Sequence, residues 1–131
     1  MKRLAVLAVS GLVSVTASAV NWVVADLNQN TIMYVDTDSI SRSGQYKTAF
    51  LMNISNTPMY LSNGIAYDSS TSYVFVDCKN NPLRYKPDSV VFRRGNNAVS
   101  SSDGMVSRGA PWQMFHPGSL GYSAATLVCS R

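Results

Sequence analysis

Apolar and polar positions alternate in short runs along this chain, and clusters of Asn, Asp, Ser, Gly and Pro separate the runs. The clearest run is 45–54. Tyr46, Thr48, Phe50, Met52 and Ile54 fall on one side of it, and Gln45, Lys47, Ala49, Leu51 and Asn53 on the other. A period of two is that of a β-strand with one buried face. Trp22-Val23-Val24-Ala25 and Thr31-Ile32-Met33-Tyr34-Val35 read as two further strands around an Asn-rich turn, 26–30. Asp36-Thr37-Asp38-Ser39-Ile40 follows as a turn or a single capped helical turn, because Asp and Ser side chains bond nearby backbone N–H groups.

Residues 56–72 hold Pro58, Asn63-Gly64 and a Ser/Thr run, and read as a long excursion with room for a short hairpin. Tyr73–Cys78 is a strand with Val74, Val76 and Cys78 on a shared face. Another spans 83–94, interrupted near Pro87 and ended by Gly95-Asn96-Asn97, and 100–104 reads as loop. Near the end, Pro117-Gly118-Ser119 gives a helix start with Ser119 as N-cap. Leu120–Cys129 then carries Leu120, Ala124, Leu127 and Val128 at helical spacing. Strands followed by one terminal helix predict an α+β fold in a single domain, with no repeat and no linker.

The first nineteen residues read as an address. Met1-Lys2-Arg3 is a basic head, 4–15 is an apolar run about half as long as the ~20 residues a membrane-spanning helix needs, and Ala17 and Ala19 supply a small-residue cut site. This predicts a signal peptide over 1–19, cleavage between Ala19 and Val20, and an exported domain over 20–131. No cysteine precedes Cys78, so no lipid anchor is expected.

Cleavage changes the charge as well. Loss of Lys2 and Arg3 takes two from the formal +4, leaving about +2. Nucleic-acid binding, which rests on clustered phosphate-neutralising charge, loses its main support. The basic-leaning stretch Lys79, Arg84, Lys86, Arg93-Arg94 reads as a solvated strand face. With charged residues at 14% and hydrophobic ones at 46%, the chain is neither disordered nor a coiled coil. All seven acids are aspartate, which disfavours long salt-bridged helices.

Two cysteines in an exported chain are most simply one disulfide, Cys78–Cys129. Closing a loop of about fifty residues stabilises a fold by roughly 4 kcal/mol in the chain-entropy account. Because Cys78 ends a strand and Cys129 ends the helix, the bridge would clamp helix to sheet. The alternative, a catalytic thiol, would have to draw on His116, the single histidine.

Four constellations fall short of chemistry. Asp26-x-Asn28-x-Asn30 begins like a calcium loop but has Thr31 where the turn needs glycine and Thr37 where the bidentate carboxylate belongs. Asp36-x-Asp38 resembles a metal–nucleotide carboxylate pair without the large domain such a site requires. Pro117-Gly118-Ser119-Leu120-Gly121 resembles a nucleophile elbow, with proline where the first glycine should be and no histidine after it. His116 has no acid nearby in sequence and reads as a packed or rim histidine. No catalytic set, metal site or cofactor site assembles from these residues. Trp112, Phe115, Trp22 and the seven tyrosines suit a recognition surface and a small β core equally.

Several fragments, taken in order, resemble the surface-adhesin protein E-like domain family of Gram-negative bacteria. They are Trp22-Val23, Tyr34-Val35-Asp36-x-Asp38-Ser39-Ile40, Gly44, Asp77-Cys78, Arg84-Tyr85, Pro111-Trp112, Pro117-Gly118-Ser119 and Val128-Cys129. The resemblance spans essentially all of 20–131. It implies an antiparallel sheet of about six strands with a C-terminal helix held on one face by the disulfide. It also implies binding of host proteins, such as extracellular-matrix or serum proteins, at the cell surface. The adhesin that names the family is a lipoprotein, whereas this chain lacks the anchoring cysteine. Residues and resemblance together predict an exported, non-catalytic, adhesin-like protein-binding module, in the periplasm or at the surface. A soluble periplasmic inhibitor or envelope accessory protein, with an envelope protein as partner, is the competing reading. An enzyme using His116 or Ser119 is a third. Open strand edges leave room for a homodimer.

Overall fold

The computed structural model describes residues 20–131; the expected signal peptide over 1–19, with its cut behind Ala19, lies outside them. The described chain forms one antiparallel sheet and one helix. The strands are β1 (Trp22–Leu27), β2 (Thr31–Asp36), β3 (Ser41–Ser43), β4 (Tyr46–Tyr60), β5 (Ala66–Asp77), β6 (Arg84–Arg94), β7 (Asn97–Ser102) and β8 (Gln113–Met114); the helix is α1 (Leu120–Cys129). The spatial order is β8-β6-β5-β4-β2-β1, with β3 paired to β4 and β7 paired to β6.

Eight strands therefore stand where about six were expected. The two extra ones are short and polar, so no apolar alternation announces them. They exist because a glycine leads the two-residue turn joining each to its partner: Gly44 (φ 62°) between β3 and β4, and Gly95 (φ 60°) between β6 and β7. A positive φ at the first turn position is what favoured two-residue hairpins assign to glycine. Part of the expected loop at 100–104 accordingly lies in β7.

The expected excursion over 56–72 is also mostly strand. It forms the distal half of a long β4–β5 hairpin that turns at 61–65. Its Ser/Thr residues occupy strand positions, with Ser69, Ser70, Thr71 and Ser72 opposite Ile54, Asn53, Met52 and Leu51. Pro58 falls where the register slips between Ile54 and Met59, so its missing N–H interrupts no regular ladder. A second irregularity sits beside Pro87, as the sequence suggested.

The core lies on one face only. Val35, Ala49, Leu51, Val74 and Val76 project from β2, β4 and β5 onto Ala124, Ala125 and Val128 of α1, with Phe115 alongside. Of the two sides of the 45–54 alternation, the buried one is thus the side of Ala49 and Leu51. Val35, Val76 and Val128 are fully buried, each contributing about 1.5–3 kcal/mol relative to exposure. Helix α1 starts where expected: the Ser119 hydroxyl accepts the Tyr122 N–H at 3.1 Å. Small residues let the helix sit close. At Gly121, an added Cβ would meet the Phe115 ring at 2.8 Å.

Two ties fix the helix. The Cys78–Cys129 disulfide, with Cα atoms 5.6 Å apart, joins its C-terminal end to the chain just beyond β5. Ser123 joins its middle to β1 by donating to the Asp26 carboxylate at 2.7 Å. The turn after β2 is a 3-10 helix (Thr37–Ser39) capped by Asp36, whose carboxylate accepts from the N–H groups of Asp38 and Asn21.

Candidate functional site

Cross-strand partners in an antiparallel sheet project to the same side, so the register identifies what lies opposite the helix. One row runs Val24, Tyr34, Met52, Thr71, Val91 across β1, β2, β4, β5 and β6. A second runs Leu27, Ile32, Ile54, Ser69, Arg93. Phe50 pairs with Tyr73, and Thr48 with Phe75 and then Lys86. None of these residues belongs to the core cluster, although Thr48 is itself buried. Leu27, Val24, Phe50 and Ile54 are 59, 48, 40 and 39% exposed, far above what buried apolar side chains show. The helix covers one face of the sheet, and the other carries exposed apolar and aromatic side chains, with Ser69, Thr71, Arg93 and the buried Thr48 among them.

Its centre is an aromatic row. Phe50 and Tyr73 lie with ring centroids 4.8 Å apart, and Tyr73 meets Phe75 edge-on at 6.1 Å. Such tilted and edge contacts hold rings rigid while leaving area free for a partner. Tyr34 and Met52 continue the surface toward β1.

At one end the row meets a cationic cluster. Trp112 lies 4.9 Å from Tyr46, with the Arg84 guanidinium 4.8 Å and the Lys86 ammonium 4.7 Å from its ring centroid. Arg84 is oriented by Asp77, which accepts its Nε–H at 2.9 Å and also accepts the backbone N–H of Lys79. Two cations over one indole give this corner a positive, partly apolar character suited to a carboxylate-bearing partner surface. Sequence spacing could not foresee the cluster, since Tyr46, Arg84 and Trp112 meet only through the pairing of β4, β5, β6 and β8. The alternation that set Phe50 apart from Ala49 and Leu51 was the available signal for the row.

The candidates singled out in the sequence occupy other places. Cys78 and Cys129 are both spent in the disulfide, which removes the catalytic-thiol alternative. Asp26 is held by Ser123 and the Leu27 N–H, and these two hydrogen bonds keep its carboxyl below the ordinary carboxylate value. The Asn28 carbonyl oxygen accepts from the N–H groups of Asn30 and Thr31 and so closes the β1–β2 turn. Asp36 caps the 3-10 helix, and the Ser119 hydroxyl caps α1. His116 is exposed beside it, on the rim of a cleft on the helix side. Of the aromatic residues, Trp112 and Tyr46 join the open face, whereas Phe115 is buried and stacked on Tyr85 at 4.1 Å. Burial raises the Tyr85 hydroxyl above the ordinary tyrosine value, and that hydroxyl donates to Gln113 at 3.1 Å.

Most fragments that carry the family resemblance are therefore joints of the fold. Asp36 is a cap, Asp77 and Arg84 an ion pair, Tyr85 a stacking partner, Ser119 a cap and Cys129 half of the bridge. A family model described as Surface-adhesin protein E matches residues 22–130. No curated protein matches the chain.

Proposed function

Since the chain belongs to the surface-adhesin protein E family, we propose that it is an exported, non-catalytic module that binds a host extracellular-matrix or serum protein through its helix-free face. The observation that carries this reading is the apolar and aromatic surface around Phe50 and Tyr73. A chain that buries only one face of its sheet leaves on the other an area of the kind that marks protein contacts. Rigid tyrosine and phenylalanine rings give large contact area at low entropic cost, and the cations at Trp112 supply a charged rim. Among the described residues no helix is long and apolar enough to cross a membrane.

The test is binding of the oxidised protein to a panel of purified matrix and serum proteins. The Phe50→Ser/Tyr73→Ser double variant serves as the comparison. Saturable binding that falls at least ten-fold in the variant, with an unchanged melting curve, supports the reading. Binding indifferent to the variant, or none to any member of the panel, overturns it.

Export follows the same proposal: cleavage between Ala19 and Val20 would release 20–131. Protease treatment of intact cells, beside cells with a permeabilised outer membrane, tests where it goes. Digestion without permeabilisation supports surface display. Protection until the outer membrane is opened favours the periplasmic reading, with an envelope protein as partner.

A further inference from the structure

On the helix side, α1 lies mainly across β1 and β2 and leaves the β5–β6 end of that face open. A cavity of about 310 Å³ lies there, between the sheet and the segment that leads from β8 into α1. It exists because Ser70 and Ser72 are small where they face Asn53 and Leu51 across the ladder. Val74, Tyr85 and Phe115 form apolar walls, and no Asp, Lys or Arg lines it.

One group inside is out of place. The Oδ1 atom of Asn53, which lines this cavity, is buried and has no hydrogen-bond partner. Buried acceptors in folded proteins are nearly always paired, and one left without a donor is expensive to keep. A leucine, branched at the same carbon, would have occupied the position without that cost.

We propose that the cavity is a binding site for a small neutral aromatic molecule, two fused rings in size, whose single N–H or O–H group donates to Asn53 Oδ1. The size follows from comparison: a dry cavity of about 150 Å³ accepts benzene, and this one is roughly twice as large. The neutrality follows from apolar walls with no Asp, Lys or Arg among them and with the single histidine, His116, on the exposed rim. The ring character follows from the stacked Tyr85–Phe115 pair, both members of which line the cavity. The site is on the opposite side of the sheet from the adhesive face and does not depend on that reading.

Indole is the probe, with 1-methylindole, which lacks the N–H, as its control. Titration of the oxidised, isotope-labelled protein should give saturable shifts at Asn53, Ser70, Ser72 and Gly121. The affinity for 1-methylindole should be about five-fold lower, the value of one ordinary hydrogen bond. Asn53→Leu should lower indole affinity to the level of its methylated analogue. Ser72→Leu, which fills the space, should remove binding of both; Ser70→Val is the milder variant if Ser72→Leu does not fold. Absence of saturable shifts at millimolar indole overturns the proposal. So do equal affinities for the two probes, or shifts that centre on Phe50 and Tyr73 and persist in the filled variant.

Discussion

Ser123 and Asp26 stand 97 residues apart in sequence, yet the hydroxyl of one donates to the carboxylate of the other at 2.7 Å. This contact fastens the middle of the terminal helix to the edge strand of the sheet. Asp26 is held below its ordinary value chiefly by Ser123 and then by the Leu27 N–H. A carboxyl depressed in the folded state adds stability above its unfolded value, and that stability is lost as pH falls through the folded one. Ser123→Ala should therefore melt below the parent at pH 7, and the gap should close as pH drops below about 4. Thermal melts of both proteins at pH 7 and pH 3 check this. A gap of constant size would mean that the hydroxyl acts on something other than the ionised carboxylate.

Gly121 should resist the usual improvement. Glycine to alanine inside a helix ordinarily gains about 1 kcal/mol. Here the new methyl would press on the Phe115 ring, which is itself wedged against Tyr85. Gly121→Ala should instead lose about 1–3 kcal/mol, the range for overpacked sites, as measured by urea unfolding. The same substitution in a Phe115→Leu background should be less harmful.

Removing the bridge should cost as much as a large core truncation. Cys78→Ser/Cys129→Ser frees a loop of 51 residues' separation and should lower stability by about 4 kcal/mol. Hydrogen exchange should accelerate first in α1, whose C-terminal end loses its covalent tie. Equal protection of α1 in the two proteins would remove the clamp from the account.

Phe50 and Tyr73 should behave as surface residues despite their size. Phe50→Ser should change unfolding free energy by about 0.5–1 kcal/mol, well short of the about 3–5 kcal/mol for a large-to-small change at a core phenylalanine. Phe115→Ala, measured beside it by denaturant unfolding, should show that core cost. A comparable loss at Phe50 would place it in a packed interior.

What the sequence disclosed tracks how strongly each element is marked by apolar periodicity. The alternation of 45–54 and the Ser119 cap before Leu120–Cys129 were legible because burial and capping write themselves into residue order. β7 and the far half of the β4–β5 hairpin were not. Serine, threonine and asparagine on a half-solvated sheet look the same as in a loop, and only pairing across the ladder distinguishes them. The alternation showed that 45–54 has two faces without showing which is covered. The helix decided that: its Ala124 and Ala125 bring it close enough to demand Ala49 and Leu51 beneath, which leaves Phe50 outside. The cluster about Trp112 and the cavity floor at Ser70 and Ser72 depend on contacts between strands distant in sequence. Residue spacing along the chain carries no trace of either.

The two ends of the fold are anchored unequally, and this sets how it would carry mechanical load. A pull at residue 129 passes through the disulfide to the end of β5, a strand bonded on both sides by β4 and β6. Yielding there requires two ladders to shear together. A pull at residue 22 meets β1, an edge strand laddered to β2 alone and otherwise tied only through its contact with α1 and the Ser123–Asp26 hydrogen bond, with a register irregularity between Val24 and Asp26. Under tension applied across the domain, β1 should peel away first while the bridged half keeps its shape.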